Sequence, residues 1–344
     1  MSKFVVEDVN ARTRLKVTCS FHPSDRPTDD RRVVAMHHGI LHSRDHFVGL
    51  IRELNARGIH VLMIDQQSEY SSWRNFIGLG TYEKGLAAAV RQFERRFPDH
   101  RIEAYVLHSM GAAIGERMQE KRANANLRRP MVLLAPIPVQ GAVGIFVRLA
   151  TSRPVSLLRA ICTLSVASLV QDKQHVRKIF FDRNVEKKKV DACLRHLRHS
   201  PFGAYLQLTL RYFLRYLIPQ KHNGHPALIL TSRTDYIFRQ DKHVNEYRET
   251  EMFYRQGHVR TDGQPWLETR TMAGGHDFFF AHPDKAARRI ANFLAKLGFQ
   301  VIEDERTSRF RRIDPPDQAI PPHRLPGDSA DVRVHDGEQE EDAA

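Results

Sequence analysis

The chain reads as an α/β protein, with a mostly parallel central sheet, helices on both faces and a helical segment set between two strands. Three observations predict this. Short unbroken apolar runs alternate with longer stretches of helical period, the pattern of a buried sheet covered by helices. That alternation stops between about Pro138 and His225, where only helical patterns occur. Regular strand–helix order then resumes as far as Leu297.

Lys3–Val9 and Leu15–Phe21 are the opening strands, placed to form a hairpin. Arg32–Met36 (RVVAM) is a strand of the buried type, followed by a loop and a helix over Asp45–Ala56 that Gly58 ends. Val61–Ile64 is the next strand. Tyr82–Phe97 is a helix with Leu86, Ala89, Val90 and Phe93 on one face and Pro98 beyond its end. Arg101–Leu107 is a strand that runs straight into Ser109, Gly111–Arg122 a helix, and Met131–Ala135 the sixth strand. Beyond the helical segment come a strand at Ala227–Thr231, a helix near Lys242–Gln256, a strand at Leu267–Met272 and a helix at Pro283–Leu297. The expected organisation is a core over residues 1–137 and 226–302, with a helical cap or lid, 138–225, inserted after the sixth strand. Residues 303–344 are rich in Pro, Asp, Glu and Arg and carry too little apolar surface to fold alone, so a disordered tail is expected.

The 344 residues are 41% hydrophobic, enough for a sizeable core. The N-terminus lacks the apolar run of a secretory signal, and no uncharged apolar stretch is long enough to span a bilayer. Cys19, Cys162 and Cys193 lie far apart and form no CxxC pair, which argues against a disulfide framework or a cysteine zinc site. A cytoplasmic protein is the simplest expectation. The net charge of +13 is uneven, because six arginines face twelve acids from Glu303 onward and residues 1–302 hold 47 basic against 28 acidic residues. Such a field attracts nucleic acid, anionic lipid headgroups or acyl-phosphate-type substrates, and equally describes an Arg-rich solvated surface. No nucleic-acid-binding motif accompanies it, so no nucleic acid partner is expected.

Three segments carry residues suited to chemistry. In AYVLHSMGAAIGERM, Ser109 sits between a strand and a helix, where a tight elbow would push a nucleophile out of the sheet and aim backbone N–H groups at the reaction centre. The alternative is a serine that simply caps the following helix. Gly111 and Ala113 are small, as such an elbow needs, whereas Leu107 stands where the G-x-S-x-G pattern wants glycine. In HPALILTSRTDYIFRQD, Asp235 follows a buried strand at the edge of the sheet where ligands bind, with Asp241 as its competitor. In TMAGGHDFFFAHPDK, His276 lies in a loop after a strand, with two glycines ahead of it and a helix behind. The order Ser, Asp, His, each at a strand end, is that of a nucleophile, an orienting acid and a base. HHGILHSRDHF follows the Arg32–Met36 strand, and a metal cluster of His37, His38, His42 and His46 is its rival reading, disfavoured because no Cys or carboxylate pair completes it.

On these motifs the chain resembles the α/β-hydrolase fold superfamily, nearest its capped serine esterases and its monoacylglycerol-lipase-like or lysophospholipase-like members. The resemblance covers roughly Val33 to Leu297, including VLLAPIPVQG before the cap, KIFFDRNVEKKKVDACLRHLRHSPFGAYLQL within it and PALILTSRTDYIF after it. It implies Ser109 as nucleophile, Asp235 as acid, His276 as base, and the backbone N–H groups of Ile40 and Met110 as the oxyanion hole, with His37 and His38 orienting the loop. It also implies hydrolysis of a small-molecule acyl ester, a medium-chain ester, monoacylglycerol or lysophospholipid, through an acyl-enzyme, with no metal or organic cofactor. Thioester cleavage, acyl transfer and a non-catalytic binding module are the alternatives. Cap residues Val143, Ile145, Phe146, Leu149, Leu157, Leu158, Ile161, Leu164 and Leu169 would line an acyl tunnel or pack the cap itself. Arg148, Arg153, Arg159, Lys173, Arg177 and Lys178 would meet an anionic membrane surface or solvent. Leu107 and the run DQQSEYSS, in place of a Gly-rich D-x-x-G-x-G-x-S, depart from the family pattern.

Overall fold

The computed structural model describes residues 1–6, 15–68, 77–137, 143–163, 169, 172–198, 200, 203–208, 224–238, 251, 255, 258 and 266–302. Eight strands form one sheet in the order β1-β2-β4-β3-β5-β6-β7-β8. They are β1 Ser2–Val6, β2 Leu15–His22, β3 Arg32–His37, β4 His60–Ser68, β5 Arg101–His108, β6 Met131–Leu134, β7 Ala227–Ser232 and β8 Leu267–Met272. β1 and β2 pair antiparallel, as expected of the opening strands, with a register from Ser2 opposite Phe21 to Val6 opposite Val17. β2 pairs antiparallel with β4, and every later pairing is parallel.

The apolar runs of the central strands have a direct cause, because both faces of the sheet are covered. Val33 and Ala35 of β3 point into one core, and Val34 and Met36 into the other. β6 divides the same way, with Met131 and Leu133 on one side and Val132 and Leu134 on the other. Helices α1 (Val48–Asn55) and α9 (Pro283–Lys296) pack together over one face. Helices α2 (Leu79–Arg96) and α3 (Met110–Glu120) pack over the other. The buried Glu83 fastens this second pair, receiving Arg117 Nε at 2.8 Å and Lys121 Nζ at 2.6 Å.

Between β6 and β7 the described residues form helices and no strand. These are α4 Val143–Ser152, α5 Pro154–Thr163, α6 Lys173–Phe180 and α7 Lys187–His196, with a further helical stretch at 203–208. Leu149, Leu157, Val176, Phe180, Val190 and Cys193 bury themselves in a third apolar cluster. Leu149 and Leu157 are thus packing residues, whereas Leu158 is 62% exposed. Of the basic side chains, Arg153 pairs with Asp172 at 2.6 Å, Arg148 bonds the Ile237 carbonyl and Arg177 that of Val185, while Arg159 and Lys178 are exposed.

Element ends differ from expectation by a few residues. β4 runs on to Ser68 because its last residues pair with β2, and the Asp45–Ala56 helix begins with a 3-10 turn at Arg44–Phe47. The last helix is preceded by a single turn, α8, Phe278–Ala281. Asp241, the end of the DQQSEYSS run, Leu164, the 303–344 tail and, apart from residues 251 and 255, the Lys242–Gln256 helix lie outside the described residues. Among the described residues no helix is long and apolar enough to cross a membrane.

Candidate active site

β5 ends at His108 and α3 begins at Met110, so one residue must reverse the chain. That residue is Ser109, with φ 50° and ψ −115°. A serine that merely caps a helix has extended backbone and bonds a first-turn N–H through its hydroxyl. Ser109 has neither: its φ is positive and its side chain makes no capping bond. Positive φ costs a non-glycine residue roughly 1–3 kcal/mol and persists only where surroundings enforce it. Here the Ser109 N–H is held by the Leu134 carbonyl at 2.9 Å, and its own carbonyl takes the Ala112 N–H at 3.0 Å. Leu41 and Ala135, the other described non-glycine residues with positive φ, also follow sheet strands at this edge.

Leu107 does not abolish the elbow. Its side chain is fully buried and lies over Gly115 of α3, where a Cβ would come 2.3 Å from Leu107 Cδ1. The space that a glycine on the strand would open is supplied instead by a glycine on the helix.

The loop after β3 crosses directly in front of the elbow. A Cβ on Gly39 would lie 2.8 Å from Ser109 Cβ, and one on Gly111 2.7 Å from the His38 carbonyl oxygen. The two expected orienting histidines are the last residue of β3 and the first of this loop. His37 Nδ1 bonds the His38 carbonyl at 2.7 Å, and His38 Nδ1 bonds the Gly39 carbonyl at 2.7 Å. The Gly39 carbonyl belongs to the same peptide plane as the Ile40 N–H, so His38 sets the direction of that N–H. His38 Nε2 in turn meets the Gln66 N–H at 2.9 Å and Asp65 Oδ1 at 3.1 Å. Gln67 donates to the His42 carbonyl at 3.2 Å. The described part of the non-glycine DQQSEYSS run, the end of β4, therefore tethers the loop through side chains. From the helical segment, Ser200 Oγ accepts the Leu41 N–H, and the Leu41 carbonyl accepts the Arg198 N–H, both at 2.8 Å.

Asp235 stands in the turn after β7 and His276 in the loop after β8. His276 Nδ1 lies 2.9 Å from Asp235 Oδ2, with both side chains buried. Asp235 Oδ1 accepts the Ile237 and Phe238 N–H groups at 2.8 and 3.1 Å, which fixes the carboxylate plane. Burial opposes charge on the His276 imidazole, but the Asp235 carboxylate, aided by Asp277, outweighs it and holds the ring above the ordinary histidine value. The His276 ring centroid is 5.0 Å from that of His108, the residue before Ser109. The three chosen residues are thus gathered at one edge of the sheet.

Several participants escaped the sequence reading. Asp182, just after α6, accepts the Gly274 N–H at 2.9 Å and the Thr234 hydroxyl at 3.3 Å, joining the loops of His276 and Asp235. The Phe180 carbonyl accepts the Asp277 N–H at 2.9 Å, and Gly275, with φ +80°, leaves no room there for a side chain. Asp277 itself is fully buried and meets His42 Nε2 at 2.9 Å and His108 Nε2 at 3.6 Å. An acid between His276 and the apolar run Phe278–Phe280 was the available signal, since a charge there must be buried with a partner. The four histidines of HHGILHSRDHF do not converge on one point; of them only His42 reaches Asp277.

The comparisons agree with this architecture. A comparison with curated proteins found no match. Among solved structures, the chain is similar to a thermophilic esterase from Thermogutta terrifontis with malate bound, at 15% identity and a TM-score of 0.54, covering 86% of this chain and 99% of that one. It is similar to a monoacylglycerol lipase from Paleococcus ferrophilus, at 14% identity and 0.55, covering 81% and 98%. It is also similar to a soluble variant of monoglyceride lipase from Saccharomyces cerevisiae in complex with a substrate analog, at 14% and 0.56, covering 82% and 91%. At such identities the likeness is one of fold. Residues 34–289, well over half of the sequence and spanning both the elbow and the His276 loop, match the alpha/beta hydrolase family, and the chain belongs to that family.

Proposed function

We propose that the protein is a serine hydrolase that cleaves a carboxylic ester of a medium-chain acyl group, of the monoacylglycerol or lysophospholipid class, through an acyl-enzyme. The observation that carries this reading is the strained, uncapped Ser109 turn beside a buried Asp235–His276 pair. With His276 Nδ1 engaged by Asp235, Nε2 is the nitrogen that takes the Ser109 proton as Oγ attacks the ester carbonyl. The Ile40 and Met110 N–H groups stabilise the oxyanion, and the imidazolium then protonates the leaving alcohol. Water repeats the attack and frees the acid. No step calls on an organic cofactor.

The helices over residues 138–225 act as a cap on a core formed by 1–137 and 226–302. An apolar acyl group is supported by the partly buried Phe146, Ile161, Tyr205, Leu206 and Ile237, which pack with Ile40 around the third cluster. Contact with an anionic membrane surface is supported by Val155 and Leu158, 79% and 62% exposed, with Arg159 exposed beside them. A cytoplasmic location fits this chemistry.

Labelling with a fluorophosphonate probe tests the reading. Wild type is expected to label, Ser109→Ala to lose labelling, and His276→Ala to label more slowly by about 100-fold or more. A p-nitrophenyl ester series, with matching thioesters, then sizes the acyl site and separates ester from thioester preference. Folded wild type that fails to label sinks the proposal in favour of a binding module.

A further inference from the structure

His42, His108 and Asp277 form a second buried group of polar side chains beside the proposed triad, and the proposed acyl transfer uses none of them. Their ligating atoms all lie within 4.8 Å of one another. His42 and Asp277 are about 1% or less exposed, and His108 is fully buried. Neither ring nitrogen of His108 has a hydrogen-bond partner among the described residues, and neither does Asp277 Oδ1. Leaving such atoms unsatisfied in the interior costs roughly 1–3 kcal/mol each. His42 and Cys193 bond one oxygen of the Asp277 carboxylate, while His108 and the other oxygen, Oδ1, face each other without bonding.

The separation of His108 from Asp277 suits a shared cation, and His42 closes on the same carboxylate by a hydrogen bond. His42 Nε2 is 2.9 Å from Asp277 Oδ2, and His108 Nε2 is 3.6 Å from Asp277 Oδ1. The second distance is too long for a hydrogen bond. Donors held about 2.0–2.3 Å from a tetrahedral ion lie about 3.3–3.6 Å from each other. Cys193 donates its thiol to Asp277 Oδ2 at 3.6 Å and would give up that proton on binding a metal. His42 is also oriented as a ligand, for its Nδ1 lies 2.7 Å from the Ile40 carbonyl. Donation of Nδ1–H to that carbonyl, the usual support of a metal-bound histidine, leaves Nε2, hydrogen-bonded to Asp277 here, as the nitrogen that a metal would take once its proton is displaced. One carboxylate and one thiolate would balance the two charges of a divalent ion, and imidazole with thiolate selects zinc-class metals over calcium or magnesium.

We propose that His42, His108 and Asp277, with Cys193 as fourth donor, bind one divalent transition-metal cation of the zinc class. The ion ties together the loop after β3, the end of β5, the loop after β8 and helix α7. It sits one residue along the chain from both Ser109 and His276, so it clips the segments that carry them. The site does not depend on the proposed ester chemistry.

The full-length protein tests this directly. Metal analysis of the purified protein is expected to find close to one zinc-class ion per chain. After chelator treatment, Co²⁺ titration should restore one equivalent, with the visible absorption of four-coordinate cobalt and a near-ultraviolet thiolate band. Cys193→Ser should lose the thiolate band, while His108→Ala and Asp277→Asn should weaken Co²⁺ binding by on the order of 100-fold or more, since even supporting groups contribute 10–100-fold. Wild type that takes up no cobalt, or variants that bind it as wild type does, overturns the site. The wild-type titration decides even if a variant fails to fold. Phosphonate labelling without metal uptake would overturn the site and leave the hydrolase standing; metal uptake without labelling would do the reverse.

Discussion

The Asp235–His276 and His42–Asp277 pairs meet at the same 2.9 Å, are equally buried, and place their central residues side by side in the chain. They differ in which imidazole nitrogen meets the carboxylate and in what the other nitrogen does. Asp235 holds His276 by Nδ1, so Nε2 is available for proton transfer. Asp277 meets His42 at Nε2, and His42 Nδ1 is already committed to the Ile40 carbonyl. With both nitrogens occupied, His42 cannot shuttle a proton to a substrate. The same two residue types thus serve turnover in one place and attachment in the other, and only the wiring distinguishes them.

The largest effect is expected from breaking the first pair. Asp235→Asn should reduce ester kcat by about 10⁴-fold, because the amide favours the wrong imidazole tautomer, with little change in unfolding free energy. A loss below about tenfold, on the same assay, would mean that Asp235 only supports its turn. Breaking the second pair should show mainly in stability. Asp277→Asn removes the buried carboxylate that His42 Nε2 bonds and is expected to cost about 1–3 kcal/mol in urea unfolding. Equal loss of kcat and no loss of stability would erase the distinction between the pairs.

The elbow carries His108 and Ser109 together, so distorting it should affect both sites at once. Gly115→Ala forces Leu107 aside, and a cost of about 1–3 kcal/mol is expected from overpacking. Leu107→Ala combined with Gly115→Ala should recover part of it in the same unfolding measurement. No recovery would show that the two side chains do not share that space.

The smallest effect sharpens the comparison with two histidines that burial pushes the other way. Burial lowers His37 to about 3 and His258 to about 4, the opposite direction from His276. Both are neutral in the folded chain but titrate near their ordinary value when unfolded, so the unfolded state binds more protons in acid. Their contribution is full above the unfolded value and is lost as pH falls through it toward the folded values. The urea midpoint should therefore fall between about pH 7 and about pH 5, and fall less steeply in His258→Asn. A midpoint that stays flat over that range would contradict the assignment of both rings as buried and neutral.

Much of this arrangement was legible before any coordinates. Strands buried on both faces must be apolar throughout, so RVVAM, MVLLA and ALILT declare themselves, and a serine, an acid and a histidine at strand ends are visible by position alone. The Asp277 site was not legible, because its donors come from loops and strand ends far apart in the chain and only folding sets their distances. Asp182 was hidden for a related reason, as its partners are a backbone N–H and a hydroxyl, which no residue pattern marks. Leu107 read as a defect because the strand motif describes one side of a contact and is silent about the helix opposite.

That contact carries a lesson for finding relatives. What the turn at Ser109 requires is close packing of strand against helix, and Leu107 filling the space that Gly115 leaves open provides it in the reverse arrangement. A search by letters along the strand passes over any chain that has made this exchange. A search for one bulky and one minimal residue facing each other, eight residues apart in this case, recovers it, because the two share one volume and either can be the one that fills it.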